Sequence, residues 1–134
     1  MKKIRVILSI ILLMTGMVGC AGAADYEIEL INGFKVTRTS AQRVHIGSPA
    51  YSYDELLIPL LADYEEGEYV TKVGHDNNRY IIAKTNLENY YLLDTKEAIV
   101  CGPFTKEKFI QEKENAKISN SVVLKDLDEY EKIR

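Results

Sequence analysis

The chain has 134 residues, of which 28% are charged, and its formal net charge is −3. Lys2, Lys3 and Arg5 are the only charged side chains of residues 1–20, so the remaining residues carry three units less, −6. An acidic surface of this kind disfavours nucleic acid and electrostatic docking on anionic lipid, and about 114 residues suit a single domain.

The start of the chain has the pattern of a signal peptide. After the three cationic residues, residues 6–19 form an uncharged, mostly apolar run. A helix of that run would reach about 21 Å, which is short of the roughly 30 Å hydrocarbon core of a bilayer. The pattern therefore predicts a cleaved leader rather than a permanent membrane span, with the following segment exported.

The end of this leader indicates where it is cut. The stretch Met17-Val18-Gly19-Cys20 resembles the lipobox of bacterial lipoproteins, in which a small residue precedes a cysteine that receives a diacylglyceryl group as a thioether. Met17 departs from the usual Leu at the outer position. The alternative is ordinary cleavage near Ala21-Gly22-Ala23-Ala24, where small residues also form an A-x-A-like site.

The lipoprotein hypothesis divides the chain into three parts: a signal peptide at 1–19, a tether at 20–24 and one domain at 25–134. Two acyl chains at Cys20 would give a stable membrane anchor on the extracytoplasmic face of the cell membrane. Cys101 would then be the only free thiol, so no disulfide framework is predicted.

The domain begins with a predicted β-hairpin. Residues 25–31 and 34–39 alternate between apolar and polar side chains, with Asn32-Gly33 between them. A three-residue loop, Ile31-Asn32-Gly33, sets Ile28 opposite Val36 and gives one coherent apolar face. The pattern therefore favours this loop, with Gly33 as the left-handed residue of a G1 bulge. A short third strand is predicted over residues 42–46.

Residues 47–67 form a long predicted connection that holds Pro49, Pro59, three tyrosines and five acids. A short helix over 53–58, capped by Ser52, is one interpretation of this stretch. Tyr51, Tyr53 and Tyr64 are a possible binding surface, because loop tyrosines offer large contact areas at low entropic cost. The alternative is that these rings pack the connection onto the domain.

Four further strands are predicted over 68–74, 79–85, 90–94 and 98–102. The middle two are apolar on both faces, as expected of strands that are covered on each side. We expect the helix on one side and the 47–67 connection on the other.

A helix is predicted over residues 106–117, with Thr105 as its N-cap and a thin apolar stripe of Phe109, Ile110 and Ala116. The last ten residues predict an acidic tail with a frayed helix around Leu127 and Tyr130. The fold class is therefore α+β: an antiparallel meander of about six strands with one C-terminal α-helix.

Several of these stretches resemble one protein family. They are Ile28-Glu29-Leu30, Asn32-Gly33-Phe34, Arg79-Tyr80-Ile81-Ile82-Ala83-Lys84, Tyr91-Leu92-Leu93-Asp94-Thr95-Lys96 and Gly102-Pro103-Phe104-Thr105. They resemble a family of small predicted lipoproteins of Gram-positive bacteria without an assigned function, over most of residues 20–130. The resemblance implies membrane-attached residence outside the cell, and it supplies no active-site residues.

Few residues suggest catalysis. His75-Asp76 could be a general-base pair, but beside Asn77-Asn78 the pattern favours a hairpin turn whose side chains cap backbone N–H groups. Cys101 could be a nucleophile, but its apolar strand favours a small core residue. His45 is the only other histidine, and no metal-ligand spacing is present, so neither a metal nor a cofactor is predicted.

The sequence therefore favours a lipid-anchored, non-enzymatic binding module whose partner is an envelope protein, a peptide or a wall component. One rival is a small extracytoplasmic hydrolase-like enzyme using His75 and Asp76 or Cys101. Another is an inhibitor or immunity-type lipoprotein, in which the tyrosine-rich connection occludes a partner.

Overall fold

The computed structural model describes residues 25–49 and 55–133. The predicted leader, Cys20, Tyr51 and Tyr53 lie outside these described residues. In chain order the elements are β1 (Tyr26–Glu29), β2 (Lys35–Ser40), β3 (Arg43–Ser48), β4 (Glu55–Ile58), α1 (Leu61–Glu65), β5 (Val70–His75), β6 (Tyr80–Thr85), β7 (Tyr90–Asp94), β8 (Ile99–Phe104), α2 (Lys106–Asn115), β9 (Lys125–Asp126) and a 3₁₀ turn (Leu127–Glu129).

The strands of the described residues form two antiparallel sheets. The first sheet has the order β1-β2-β3-β4, and the second has the order β8-β7-β6-β5-β9. The α+β class is confirmed, since antiparallel strands dominate and α2 follows four of the five strands of the second sheet. Among the described residues no helix is both long enough and apolar enough to cross a bilayer.

The register of the first hairpin is the one that the apolar pattern predicts. Ile28 lies opposite Val36 and Tyr26 lies opposite Arg38. Ile28 and Val36 are almost fully buried, so burial of one face selects this register.

The turn of this hairpin differs in one detail from the predicted G1 bulge. Gly33 has a positive φ of 82°, as expected, but Asn32 also has a positive φ, of 55°. Positive φ at both central residues is the requirement of a type I′ turn, and Asn-Gly meets it well. A Cβ added to Gly33 would lie 2.9 Å from Cβ of Pro49, so the end of β3 closes over the hairpin tip.

The central strands β6 and β7 are buried on both faces. Ile81 and Tyr91 belong to the apolar core between the two sheets. Ile82, Leu92 and Tyr90 point the other way and belong to a second core beneath α2. Alternation of side chains along a strand places neighbouring residues in different cores, which explains the continuous apolar runs in the sequence.

The covering layers are only partly those expected from the sequence. The helix covers one side of the second sheet, as predicted, through Phe109. The other side is covered by the first sheet. The 47–67 connection contributes the buried Ile58 and the partly buried Leu57 to that cover. The expectation that the 47–67 connection alone covers this side was wrong. Strands β1 to β3 carry their own apolar face, which must also be buried.

The predicted helix over residues 53–58 is also wrong where the chain is described. Residues 55–58 form strand β4, which pairs with β3 by placing Leu56 opposite Gly47 and Ile58 opposite Ile46. Ile58 is fully buried between the sheets. Docking on the edge of β3 therefore outweighs the weak local preference for a helix.

The C-terminal tail is packed rather than frayed. β9 pairs with β5, and the hydroxyl of Tyr130 donates to the carbonyl of Val73 at 2.8 Å. Ile133 then pairs with Glu27 of β1 through two backbone hydrogen bonds, of 2.7 and 2.8 Å. The tail thus joins the edge of the second sheet to the edge of the first.

The helix begins where the sequence predicts. The Oγ1 atom of Thr105 accepts a hydrogen bond from the N–H of Lys108 at 3.3 Å, which confirms the N-cap. α2 ends at Asn115, and Lys117 beyond it has a positive φ of 58°. Only Phe109 of the helix is buried, and its ring stacks on Tyr90 with 5.0 Å between centroids.

We call the core beneath α2 the helix-side core. We predict that Phe109→Ala lowers the free energy of unfolding by about 3–5 kcal/mol, because it leaves a cavity in this core. Ile110→Ala is a matched control on the same helix, since Ile110 is 47% exposed and should cost less than about 1 kcal/mol. Urea unfolding followed by circular dichroism measures both values. Equal losses would contradict this docking of the helix.

Candidate functional site

The turn between β5 and β6 is built around Asp76. Its Oδ1 atom accepts hydrogen bonds from the backbone N–H groups of Asn78 (2.9 Å), Arg79 (2.7 Å) and Tyr80 (3.0 Å). Partial burial acts to raise the pKa of Asp76, but these backbone donors hold it below its ordinary value. Asp76 is therefore a charged turn cap, as the Asp-Asn-Asn pattern predicts.

His75 lies at the end of β5, and its ring does not form a general-base pair with the carboxylate of Asp76. Its Nδ1 atom accepts a hydrogen bond from the backbone N–H of Asn77 at 3.2 Å. In a neutral ring the proton therefore lies on Nε2, which is left to face a ligand or solvent. The described residues contain no hydrogen bond between this ring and the carboxylate of Asp76 or the hydroxyl of Ser121.

A cleft of about 330 Å³ opens beside this turn. β9 pairs with β5 only at Lys72 and Val73, and the chain before β9 then diverges from the end of β5. The wedge between the two segments is the cleft. Its lining residues are Gly74, His75, Asp76, Asn77, Ser121, Val122, Val123, Lys125 and Tyr130.

The second wall of the cleft, residues 121–125, is fixed from three sides. The side chain of Val122 is buried in the helix-side core, and its carbonyl accepts a hydrogen bond from Nζ of Lys113 at 2.8 Å. Burial lowers the pKa of Lys113. A Cβ added to Gly74 would overlap the carbonyl oxygen of Val123, so the two backbones touch at the base of the wedge.

Four side chains of the cleft have clear roles in its chemistry. Tyr130 is held by its bond to Val73, so its ring is a fixed surface. Ser121 shares a 2.9 Å hydrogen bond with the hydroxyl of Ser119. Asn77 and Lys125 make no side-chain hydrogen bond or ion pair with any part of the chain that the structure describes, so both are available to a ligand.

Cys101 is remote from this cleft. It lies on β8, is half-buried and packs with the helix-side core. Two strands separate β8 from β5, which places them about 14 Å apart at 4.8 Å per strand. Cys101 and His75 therefore do not form a nucleophile–base pair.

The third tyrosine of the predicted binding surface is part of the fold. Tyr64 is buried, its ring meets that of His45 edge-on at 5.4 Å, and Arg43 lies over it at 5.2 Å. With Tyr51 and Tyr53 outside the described residues, a shared surface of the three stays a prediction. Over residues 25–49 and 55–133, no cluster of three or more metal-ligating side chains is found.

The cleft and the start of the domain lie at opposite ends of the two packed sheets. The Nδ2 atom of Asn32, at the hairpin tip, donates to the carbonyl of Asn78 at 2.9 Å, so the tip and the cleft-lining turn share one end. Asp25 lies at the other end, seven residues or about 23 Å along the hairpin from Asn32. We call these the distal end and the proximal end.

A second cleft, of about 400 Å³, lies at the proximal end. Asp25, Tyr26, Arg38 and Ile133 contribute to its lining. Arg38 and Lys132 lie over the ring of Tyr26, at 5.2 and 4.9 Å from its centroid. This end of the molecule therefore combines an aromatic ring, two cations and the half-exposed Ile133 around the point where the domain begins.

Sequence reasoning identified the turn but not the cleft. Ser121, Lys125 and Tyr130 join it through contacts that span some fifty residues of sequence. One signal was present: a glycine inside a strand pattern, Gly74, often marks the close approach of another backbone.

Comparison with known proteins places most of the chain in one family model. Residues 31–128 match the model described as "Protein of unknown function (DUF3997)". Searches of curated proteins and of solved structures returned no match.

We predict that Asp76→Ala lowers the free energy of unfolding by about 2 kcal/mol at pH 7, because three N–H donors lose a charged acceptor. The pKa of Asp76 is lower in the folded state, so its contribution is present above about pH 4 and is lost as the pH falls through the folded value. The difference between wild type and variant should therefore shrink in acid.

Urea unfolding at pH 7 and near pH 3 measures this difference. Asp128→Ala is the control, since Asp128 forms only an exposed ion pair with Lys132 and its loss should matter little. A pH-independent loss for Asp76→Ala would contradict the role of its charge.

Proposed function

We propose that this chain, which belongs to the DUF3997 family of proteins of unknown function, is a lipid-anchored extracytoplasmic protein that binds an envelope component without catalysing a reaction. The observation that carries the proposal is the opposition of the two ends. The start of the domain lies at the proximal end, and a polar cleft lies at the distal end.

The lipid anchor is supported by the sequence of the leader. Residues 6–19 are uncharged and mostly apolar, and Cys20 follows Gly19 at the position where a lipobox ends. Five Cα-to-Cα steps separate Cys20 from Asp25, which gives a maximum reach of about 18 Å. An acylated Cys20 would therefore hold the proximal end close to the headgroups and leave the distal cleft facing away from the bilayer.

The chemistry of the proximal end is compatible with this orientation. Ile133 offers apolar surface, and Arg38 and Lys132, which cover the buried ring of Tyr26, would offer cations to the lipid phosphates. Asp25 and Glu27 lie at the same end, so attraction to anionic lipid is weak and the acyl chains would provide the affinity.

The geometry of the titratable residues supports binding rather than catalysis. One oxygen of Asp76 is occupied by three backbone donors, and His75 has no hydroxyl or thiol partner in the described ranges. Cys101 packs beneath α2 on the far edge of the second sheet. A general base needs to lie within hydrogen-bond reach of the group that it activates. In the part of the chain that the structure describes, no two of the side chains of His75, Asp76 and Cys101 form a hydrogen bond with each other.

We predict that the intact mass of the membrane-bound protein corresponds to a chain that begins at Cys20 and carries a diacylglyceryl group. Cys20→Ser should abolish both the added mass and the retention in the membrane fraction. Cys101→Ser is the matched control, because it removes the other cysteine and should leave the modification unchanged.

Mass spectrometry of fractionated cells measures all three proteins. A wild-type protein that is recovered in the medium and begins near Ala24 would contradict the anchor.

A further inference from the structure

We propose that the distal cleft binds a neutral, hydroxyl-rich ligand, namely a sugar unit of an envelope glycan. This inference rests on the binding function proposed above and identifies the class of ligand for the same site. It follows from the available polar groups, the balance of charge and the shape of the cleft.

The available groups include both donors and acceptors. Nε2 of His75 and Nζ of Lys125 can donate, Oδ2 of Asp76 can accept, and the amide of Asn77 can do both. Among the described residues, the hydrogen bonds of Asp76 all involve its other oxygen, Oδ1. Sugar hydroxyl groups donate and accept at once, so a ligand rich in them can satisfy this mixed set.

The charges of the cleft oppose a simple ion as the ligand. The carboxylate of Asp76 and the ammonium group of Lys125 line the same wedge. An anion that pairs with Lys125 would be repelled by Asp76, and a cation that pairs with Asp76 would be repelled by Lys125. A neutral ligand avoids both costs and can hydrogen-bond to each charged group.

The shape of the cleft also suits a small, flat group. Its volume of about 330 Å³ lies near the lower end of the range for small-molecule sites. Its base is fixed by the backbone contact of Gly74 with Val123, and the ring of Tyr130 is held by its hydroxyl. A rigid site needs little ordering when it binds, which reduces the entropic cost.

The test is a titration of the mature protein, purified from bacterial membranes in detergent, followed by the backbone amide signals in NMR spectra. The probes are chitotriose, cellotriose and maltotriose as neutral sugars, inorganic phosphate as an anion, and alanyl-alanine as a zwitterion. We expect at least one sugar to shift the signals of Asn77, Val123 and Lys125 in a saturable way at millimolar concentration, and we expect no such response to phosphate or dipeptide.

Two variants test the groups that have no partner in the described ranges. Asn77→Gly removes the amide and keeps the positive φ of 60°, and Lys125→Gln removes the charge. Each should weaken sugar binding by about three- to tenfold, the loss of one hydrogen bond. Lys106→Gln, an equivalent change at an exposed residue of α2, is the control and should have no effect.

The proposal is overturned if no sugar gives saturable shifts, if phosphate or dipeptide binds in its place, or if both variants bind sugar as the control does. The intact mass of the same sample reports on the anchor. A lipidated protein that binds no sugar would refute the ligand and leave the anchor standing. A protein that binds sugar without lipid would support the ligand and refute the anchor.

Discussion

The structure depends on the burial of β6 and β7 from both sides. These strands carry apolar side chains at successive positions, so neither face can remain in water, and each needs its own cover. The first sheet covers one face through a broad apolar surface. α2 covers the other with little more than Phe109, which makes that ring the main fixing point of the helix.

The two sheets are joined by polar contacts at each end of the sandwich. At the distal end, Asn32 of the first hairpin donates to the carbonyl of Asn78 and to the hydroxyl of Thr95 at 2.8 Å. Towards the proximal end the C-terminal segment makes the connection, first along β5 and then along β1. Apolar burial provides most of the stability, and these directional bonds fix how one sheet lies over the other.

The cleft is a consequence of the same C-terminal segment. Its residues must leave α2, place Val122 in the helix-side core and reach β5, and they meet β5 for only two residue pairs. The remaining end of β5 is therefore left with a wedge beside it rather than a strand. The polar turn at Asp76 lies at the mouth of that wedge because β5 ends there.

The sequence predicted the features that depend on neighbouring residues. The register around Ile28 and Val36 follows from strict alternation, and the helix start follows from Thr105, since both are local patterns. The packed tail was missed because it forms by pairing with strands that are distant along the chain. β4 was missed because its docking on the edge of β3 outweighs the weak local preference for a helix. The cleft was missed for the same reason, since only Gly74 gave a local sign of it.

The pairing of Ile133 with Glu27 also has a practical consequence. The last and first described segments are neighbours, so any fusion partner, affinity tag or reporter attached behind residue 133 will emerge beside residue 25. Such an addition would compete for space with any group attached to the chain before residue 25. A reporter inserted at the tip between β1 and β2 would instead project from the opposite side of the molecule, although it would disturb the Asn32 contacts.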